Sequence, residues 1–191
     1  TRPRPTVYQG VNAVVILTAL ASLVGLTGCG GLNDGDDSTK VNGSIHVPAG
    51  KAPGAVTTVN GSIHMDDNSA VTSANTVNGS IHLGAHATAA SVNSVNGSLI
   101  LGAGAHVAGS ASTVNGEVIL GDGVEISGSV SNVNGKITLT AAHVGGGIKT
   151  VNGSMSITGA SHVESGILVE KPSGQLMQLV QEIPRIVIGP G

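Results

Sequence analysis

The chain has 191 residues, enough for one core, with 10% charged residues, a net charge of −3 and Tyr8 as its single Phe, Trp or Tyr residue. Thirty glycines and 40% hydrophobic residues set it apart from an ordinary globular domain, which carries about 25% charge. No basic footprint for nucleic acid is present, and the near absence of aromatics excludes ring stacking on bases or sugars.

Arg2 and Arg4 precede an apolar run from Ala13 to Leu26. At 14 residues it falls short of the ~20 that span a bilayer as a helix, and it reads as the core of a signal peptide. The run leads into Leu26-Thr27-Gly28-Cys29, which resembles the bacterial lipobox. That resemblance implies cleavage between Gly28 and Cys29, lipid on Cys29 and a membrane as first partner. Cys29 is the sole cysteine, so no internal disulfide competes for it. Several acyl chains, at about 0.8 kcal/mol per buried CH₂, suffice together for stable anchoring. Gly30, and not Asp, follows the cysteine, which in lipoproteins of the enterobacterial type implies routing to the outer membrane. Without residues 1–28 the chain keeps six basic and eleven acidic residues and loses Tyr8. Residues 29–39, rich in Gly and Asp with no apolar period, read as a solvated tether.

From residue 40 to 170 one phrase recurs. Val-Asn-Gly-x-(Ile/Leu/Val/Met) begins at Val41, Val59, Val77, Val95, Val114, Val133 and Val151, at spacings of 18, 18, 18, 19, 19 and 18 residues. A fixed period of this length marks a solenoid with one coil per repeat. In the fifth repeat Val114, Val118, Leu120, Val124, Ile126 and Val130 read as the inward set. In the sixth, Val133, Ile137, Leu139, Val144 and Ile148 do so. Short alternating strands broken three times per repeat predict an all-β, three-sided parallel β-helix of about seven coils, each strand pairing with its equivalent one coil above at ~4.8 Å. The 18-residue period is also three hexads, as in left-handed hexapeptide helices. Large Ile45, Ile63 and Ile81, where hexapeptide repeats place a small residue, favour a right-handed coil.

Each Asn-Gly pair predicts a tight corner, with Gly supplying φ > 0. Stacked once per coil, Asn42, Asn60, Asn78, Asn96, Asn115, Asn134 and Asn152 are placed to hydrogen-bond as a ladder. The extra residue of a 19-residue repeat is expected at a corner, where strand register is undisturbed. Past Glu170, Lys171-Pro172-Ser173-Gly174 breaks the pattern, and Leu176, Leu179, Val180 and Ile183 fall at helical spacing before Pro184. Residues 171–191 therefore read as a short capping helix, or one more irregular strand, followed at Arg185 by the opening of a further coil.

Among groups that carry chemistry, His46, His64 and His82 occupy one place in three successive repeats, which predicts an outward column of imidazoles. Such a column is a candidate for a divalent metal or for proton binding near pH 6.5, although no carboxylate or Cys recurs beside it. His86, His106, His143 and His162 scatter near a second corner, and Asp66, Asp67 and Asp122 read as turn residues. No phosphate loop, nucleophile elbow or calcium nonapeptide is present, and no cofactor is expected.

The region 40–170 resembles the putative adhesin domains of bacterial surface proteins, β-helices with recurrent Val-Asn-Gly-(Ser/Asp)-Ile phrases. Ile186–Gly191 and Gly121-Asp122-Gly123-Val124 are similar to coils of bactofilins, whose domains polymerise end to end without nucleotide. These resemblances imply a non-enzymatic, lipid-anchored envelope protein that displays a solenoid surface or assembles with copies of itself. Two other classes stay open. One is an enzyme of the polysaccharide-lyase or acyltransferase type, against which stands the lack of an acid–base cluster. The other is a metal- or pH-responsive binder using the histidine column.

Overall fold

The computed structural model of the protein describes residues 32–170 and 186–189. Within them, short β-rich segments separated by Gly, Asn and Asp wind into a β-solenoid of about seven turns, and every strand pairing is parallel. The first side stacks β2 (Ile45–Val47), β4 (Ile63–Met65), β6 (Ile81–Leu83), β8 (Leu99–Leu101), β11 (Val118–Leu120), β14 (Ile137–Thr140), β17 (Met155–Thr158) and β20 (Ile186–Ile188). A second side holds β9 (His106–Val107), β12 (Glu125–Ile126), β15 (His143–Val144) and β18 (His162–Val163). A third holds β1 (Ser38–Asn42), β3 (Ala55–Asn60), β10 (Ala111–Asn115), β13 (Val130–Asn134), β16 (Ile148–Asn152) and β19 (Ile167–Val169). The strands β5 (Ala70–Asn78) and β7 (Thr88–Asn96) run round the corner between the second and third sides, so β7 pairs with both β9 and β10.

That transition locates the first inserted residue. Ala89 pairs with Val107 at an offset of 18, but Val92 pairs with Ala111 at 19. The extra residue therefore lies between Val107 and Ala111, at a corner as expected, and it divides one long strand into two.

The core is a set of columns. Ile45, Ile63, Ile81, Leu99, Val118, Ile137 and Met155 form one, and Val47, Met65, Leu83, Leu101, Leu120, Leu139 and Ile157 another, every member buried. Val56, Ala74, Val92, Ala111, Val130 and Ile148 close the third side. Period-2 alternation puts these residues inside, and burying a Leu or Ile side chain stabilises by about 1.5–3 kcal/mol.

The inward set read from the sequence needs one correction. Val114 and Val133, with the other Val-Asn-Gly valines, face outward and are partly exposed, Val41 being 56% exposed. From the second coil on, the inward place before each belongs to a polar residue: Thr58, Thr76, Ser94, Thr113, Asn132 and Thr150, all buried. Their use is plain from their bonds. Thr58 Oγ1 donates to Gly43 O at 3.0 Å, Thr76 to Gly61 O at 2.9 Å, Ser94 Oγ to Gly79 O at 3.1 Å, Thr113 Oγ1 to Gly97 O at 2.9 Å and Asn132 Nδ2 to Gly116 O at 2.9 Å. A buried hydroxyl or amide needs a partner, and the corner carbonyl supplies it.

The reason for glycine at the Asn-Gly corner also differs from the expected one. Positive φ occurs there only at Gly43 (107°) and Gly135 (136°). What the other corners require is room: a Cβ on Gly79 would lie 2.1 Å from Gly61 O, and one on Gly97 2.0 Å from Gly79 O. The left-handed corner is a different one, at Gly50, Asn68, His86, Gly104, Gly123, Ala141 and Gly159, with φ of 48–70° once per coil.

The acidic tether is in part laid on the solenoid. Gly35 N–H donates to Ala52 O at 2.8 Å and Asp34 Oδ1 accepts from Ala52 N–H at 2.9 Å, while Leu32 packs against the core. Asp37 Oδ1 accepts from Ala55 N–H at 2.6 Å, and β1 begins at Ser38. Within residues 29–39, therefore, 32–39 belong to the first coil. The predicted leader 1–28, its cleavage pair Gly28 and Cys29, and the helix predicted within 171–185 lie outside the described residues. The further coil read after Arg185 does begin, as β20 on β17, with Met155 opposite Ile186. Their offset of 31 exceeds one 18-residue coil by 13 residues.

Candidate functional site

The outer faces carry three registered arrays. On the first side the middle residue of each short strand points out, and successive strands align His46, His64, His82, Ile100, Ile119, Thr138, Ser156 and Val187. The three imidazoles form the expected column, with ring centroids 5.6 Å apart for His46 and His64 and 5.0 Å for His64 and His82. The sequence reading missed their carboxylate. Asp66 Oδ2 lies 2.9 Å from His46 Nε2 and Asp66 Oδ1 lies 3.3 Å from His64 Nε2, so one carboxylate joins two coils. Alternation contained the signal, since His64-x-Asp66 places both side chains on one face of the strand. The acid does not recur, because Pro48 and Gly84 hold the equivalent places in the neighbouring coils.

His82 lacks that partner in its coil. Partial desolvation, and secondarily the neighbouring charge of His64, hold its pKa below the ordinary histidine value. Among the described residues, no three His, Cys, Asp or Glu side chains are grouped to hold a metal ion.

On the second side the histidines that read as scattered are aligned. His106, Glu125, His143 and His162 share one column, with offsets of 19, 18 and 19 residues that obscure it in the sequence. Glu125 Oε2 lies 3.5 Å from His106 Nδ1, Glu164 Oε1 lies 3.0 Å from His143 Nε2, and the His143 and His162 rings are 5.6 Å apart. His86 stands apart at the left-handed corner with φ 56°. Both arrays are mostly solvent-facing histidine–carboxylate contacts, and exposed pairs of this kind contribute about 0–1 kcal/mol each.

The third side is uncharged over its five central coils. Segments 55–60, 73–78, 91–96, 110–115 and 129–134 contain no Asp, Glu, Lys, Arg or His. At its edge the predicted asparagine ladder is complete. Each Nδ2 donates to the Oδ1 one coil before it: Asn60 to Asn42 at 3.0 Å, Asn78 to Asn60 at 2.9 Å, Asn96 to Asn78 at 3.0 Å, Asn115 to Asn96 at 2.9 Å, Asn134 to Asn115 at 2.8 Å and Asn152 to Asn134 at 3.2 Å. A second chain of bonds runs parallel to it. Ser112 Oγ donates to Asn93 Oδ1 at 2.7 Å, Asn93 Nδ2 to Asn75 Oδ1 at 2.9 Å and Asn75 Nδ2 to Ser73 Oγ at 3.1 Å. Between these polar lines stands the valine column Val41, Val59, Val77, Val95, Val114, Val133 and Val151.

No family model, curated protein or solved structure matches this chain. The likeness to adhesin domains and bactofilins thus rests on the repeat phrases alone.

Proposed function

We propose that this protein is a non-enzymatic, lipid-anchored component of the bacterial cell envelope, held by acylated Cys29 with outer-membrane routing, whose solenoid is a rigid display scaffold. One observation supports the scaffold reading above others: a continuous asparagine ladder along seven coils, with a second, shorter chain of side-chain bonds across three of them, fixes the third side as a repetitive surface that is uncharged over its five central coils. Fixed side chains lose little further entropy when a partner docks, which suits a surface that presents rather than reacts.

The lipobox carries the anchoring half. Expression in a bacterium fed an alkyne fatty acid is expected to label the wild-type chain in the membrane fraction, and Cys29→Ser to abolish the label. An unlabelled wild-type chain, or label that survives Cys29→Ser, overturns the anchor.

A further inference from the structure

We propose that the uncharged central part of the third side is an interface on which a second copy of the chain docks side by side, coil against coil, valine column against valine column. This pairing rests on the scaffold reading above and names its partner.

Three features choose that occupant. The first is period. Val59, Val77, Val95, Val114 and Val133 project outward once per strand rung, and rungs repeat at ~4.8 Å. A partner with any other repeat drifts out of step within a few rungs, whereas a second copy stays matched along the whole stack, as identical faces do in a steric zipper. The second is charge. The rest of the chain carries the acidic excess, while the five central segments carry none, and Lys40 and Lys149 bracket them in the first and seventh coils. Two such faces meet without stranding a charge between them, and the patch ends at Lys40 on one side and at the Lys149–Glu170 ion pair, 2.8 Å, on the other. The third is symmetry. A two-fold axis parallel to the stack sets each coil opposite its own counterpart and leaves both N-terminal ends pointing the same way, as two chains anchored in one membrane require.

The size of the face sets the strength of the contact. Five rungs of six residues cover roughly 24 by 20 Å, or about 500 Å² per copy, below the ~800 Å² per partner of a stable standard interface. Association in dilute solution is therefore weak, and anchoring two copies in one membrane raises their effective concentration.

Cross-linking of the full chain in membranes of an expressing bacterium tests the arrangement. Sheets that face each other at ~10 Å exceed the reach of a disulfide, so a short bismaleimide is the reagent. Val59→Cys, Val95→Cys and Val133→Cys, each made singly, are expected to give a cross-linked dimer above the wild-type background. Thr138→Cys, on the first side, is expected to give none. Adding Val95→Lys and Val114→Lys to Val59→Cys is expected to abolish the dimer while thermal unfolding stays within 3 °C.

Dimers from Val95→Cys alone would mean an antiparallel pairing about the central coil and overturn the proposal. Dimers from Thr138→Cys, or dimers that survive the lysines, would overturn it while leaving self-association through another surface. Failure of all three valine positions in a chain that is fatty-acid labelled would overturn the interface and spare the anchor.

Discussion

At the residue scale, the inward polar column makes the sharpest test. In this column Asn132 leaves its Oδ1 buried without a partner, and Thr150 in the next coil leaves its Oγ1 likewise. Asn132→Thr restores the hydroxyl that donates to a corner carbonyl in the second, third and fifth coils and removes one orphan acceptor. It is expected to raise stability by about 1 kcal/mol in urea denaturation, with no change in m-value. Thr113→Val keeps the shape but strips the donor from Gly97 O, and the same measurement is expected to show a loss of about 1–2 kcal/mol. These residues explain why the sequence misled at this point. A Val-Asn-Gly phrase advertises its valine as core, but alternation only says that neighbours take opposite faces. The carbonyls that demand a polar neighbour inside become visible only once the corner is folded. The glycine beside it was legible as glycine and not for its reason, because contact with the coil below is a property of the stack. Gly97→Ala, which drives a Cβ against Gly79 O, is expected to cost several kcal/mol or prevent folding. Gly43→Ala meets open space and bears only its backbone strain, on the order of 1–2 kcal/mol, so the two melting temperatures should separate widely.

At the element scale, the short strands of the first side couple proton binding to the stack. His82 has a folded-state pKa below its unfolded value near 6.5, so the unfolded chain binds its proton more readily. Its contribution to stability is complete above the unfolded pKa and declines as pH falls through about 6.5 and below. The melting temperature is therefore expected to drop between pH 7.5 and 5, and the drop to shrink in His82→Thr, which keeps a β-branched residue in the outward place. An unchanged pH dependence in that variant, followed by scanning calorimetry, would assign the effect elsewhere. The columns themselves were unequally legible. His46, His64 and His82 share a constant offset of 18 and an identical -Ile-His- context, whereas the second column mixes offsets and interposes Glu125. Periodicity reveals repeated chemistry, and pairing reveals chemistry that merely lands in register.

At the scale of the whole molecule, stability is a sum over coils, because each coil touches only the one below and the one above. Coil count, strand sides and the asparagine ladder followed from one period, since a stack repeats at every level whatever its sequence repeats once. The same logic predicts how the molecule tolerates surgery. Removing residues 77–94 deletes one full coil and joins Thr76 to Val95, so that Asn78 is replaced by Asn96 above Asn60 and every column closes again. Circular dichroism of that deletion is expected to keep the wild-type signal per residue, with a lower urea m-value in proportion to the surface lost and a stability reduced by one coil interface. Removing only residues 77–85, half a coil, puts Thr76 beside His86 and sets a strand of the third side against a left-handed corner. Every inward column is then broken at once, and the chain is expected to unfold. If the two deletions behaved alike, the coils would not be the units of cooperativity, and a two-body core would have to replace the stacked one.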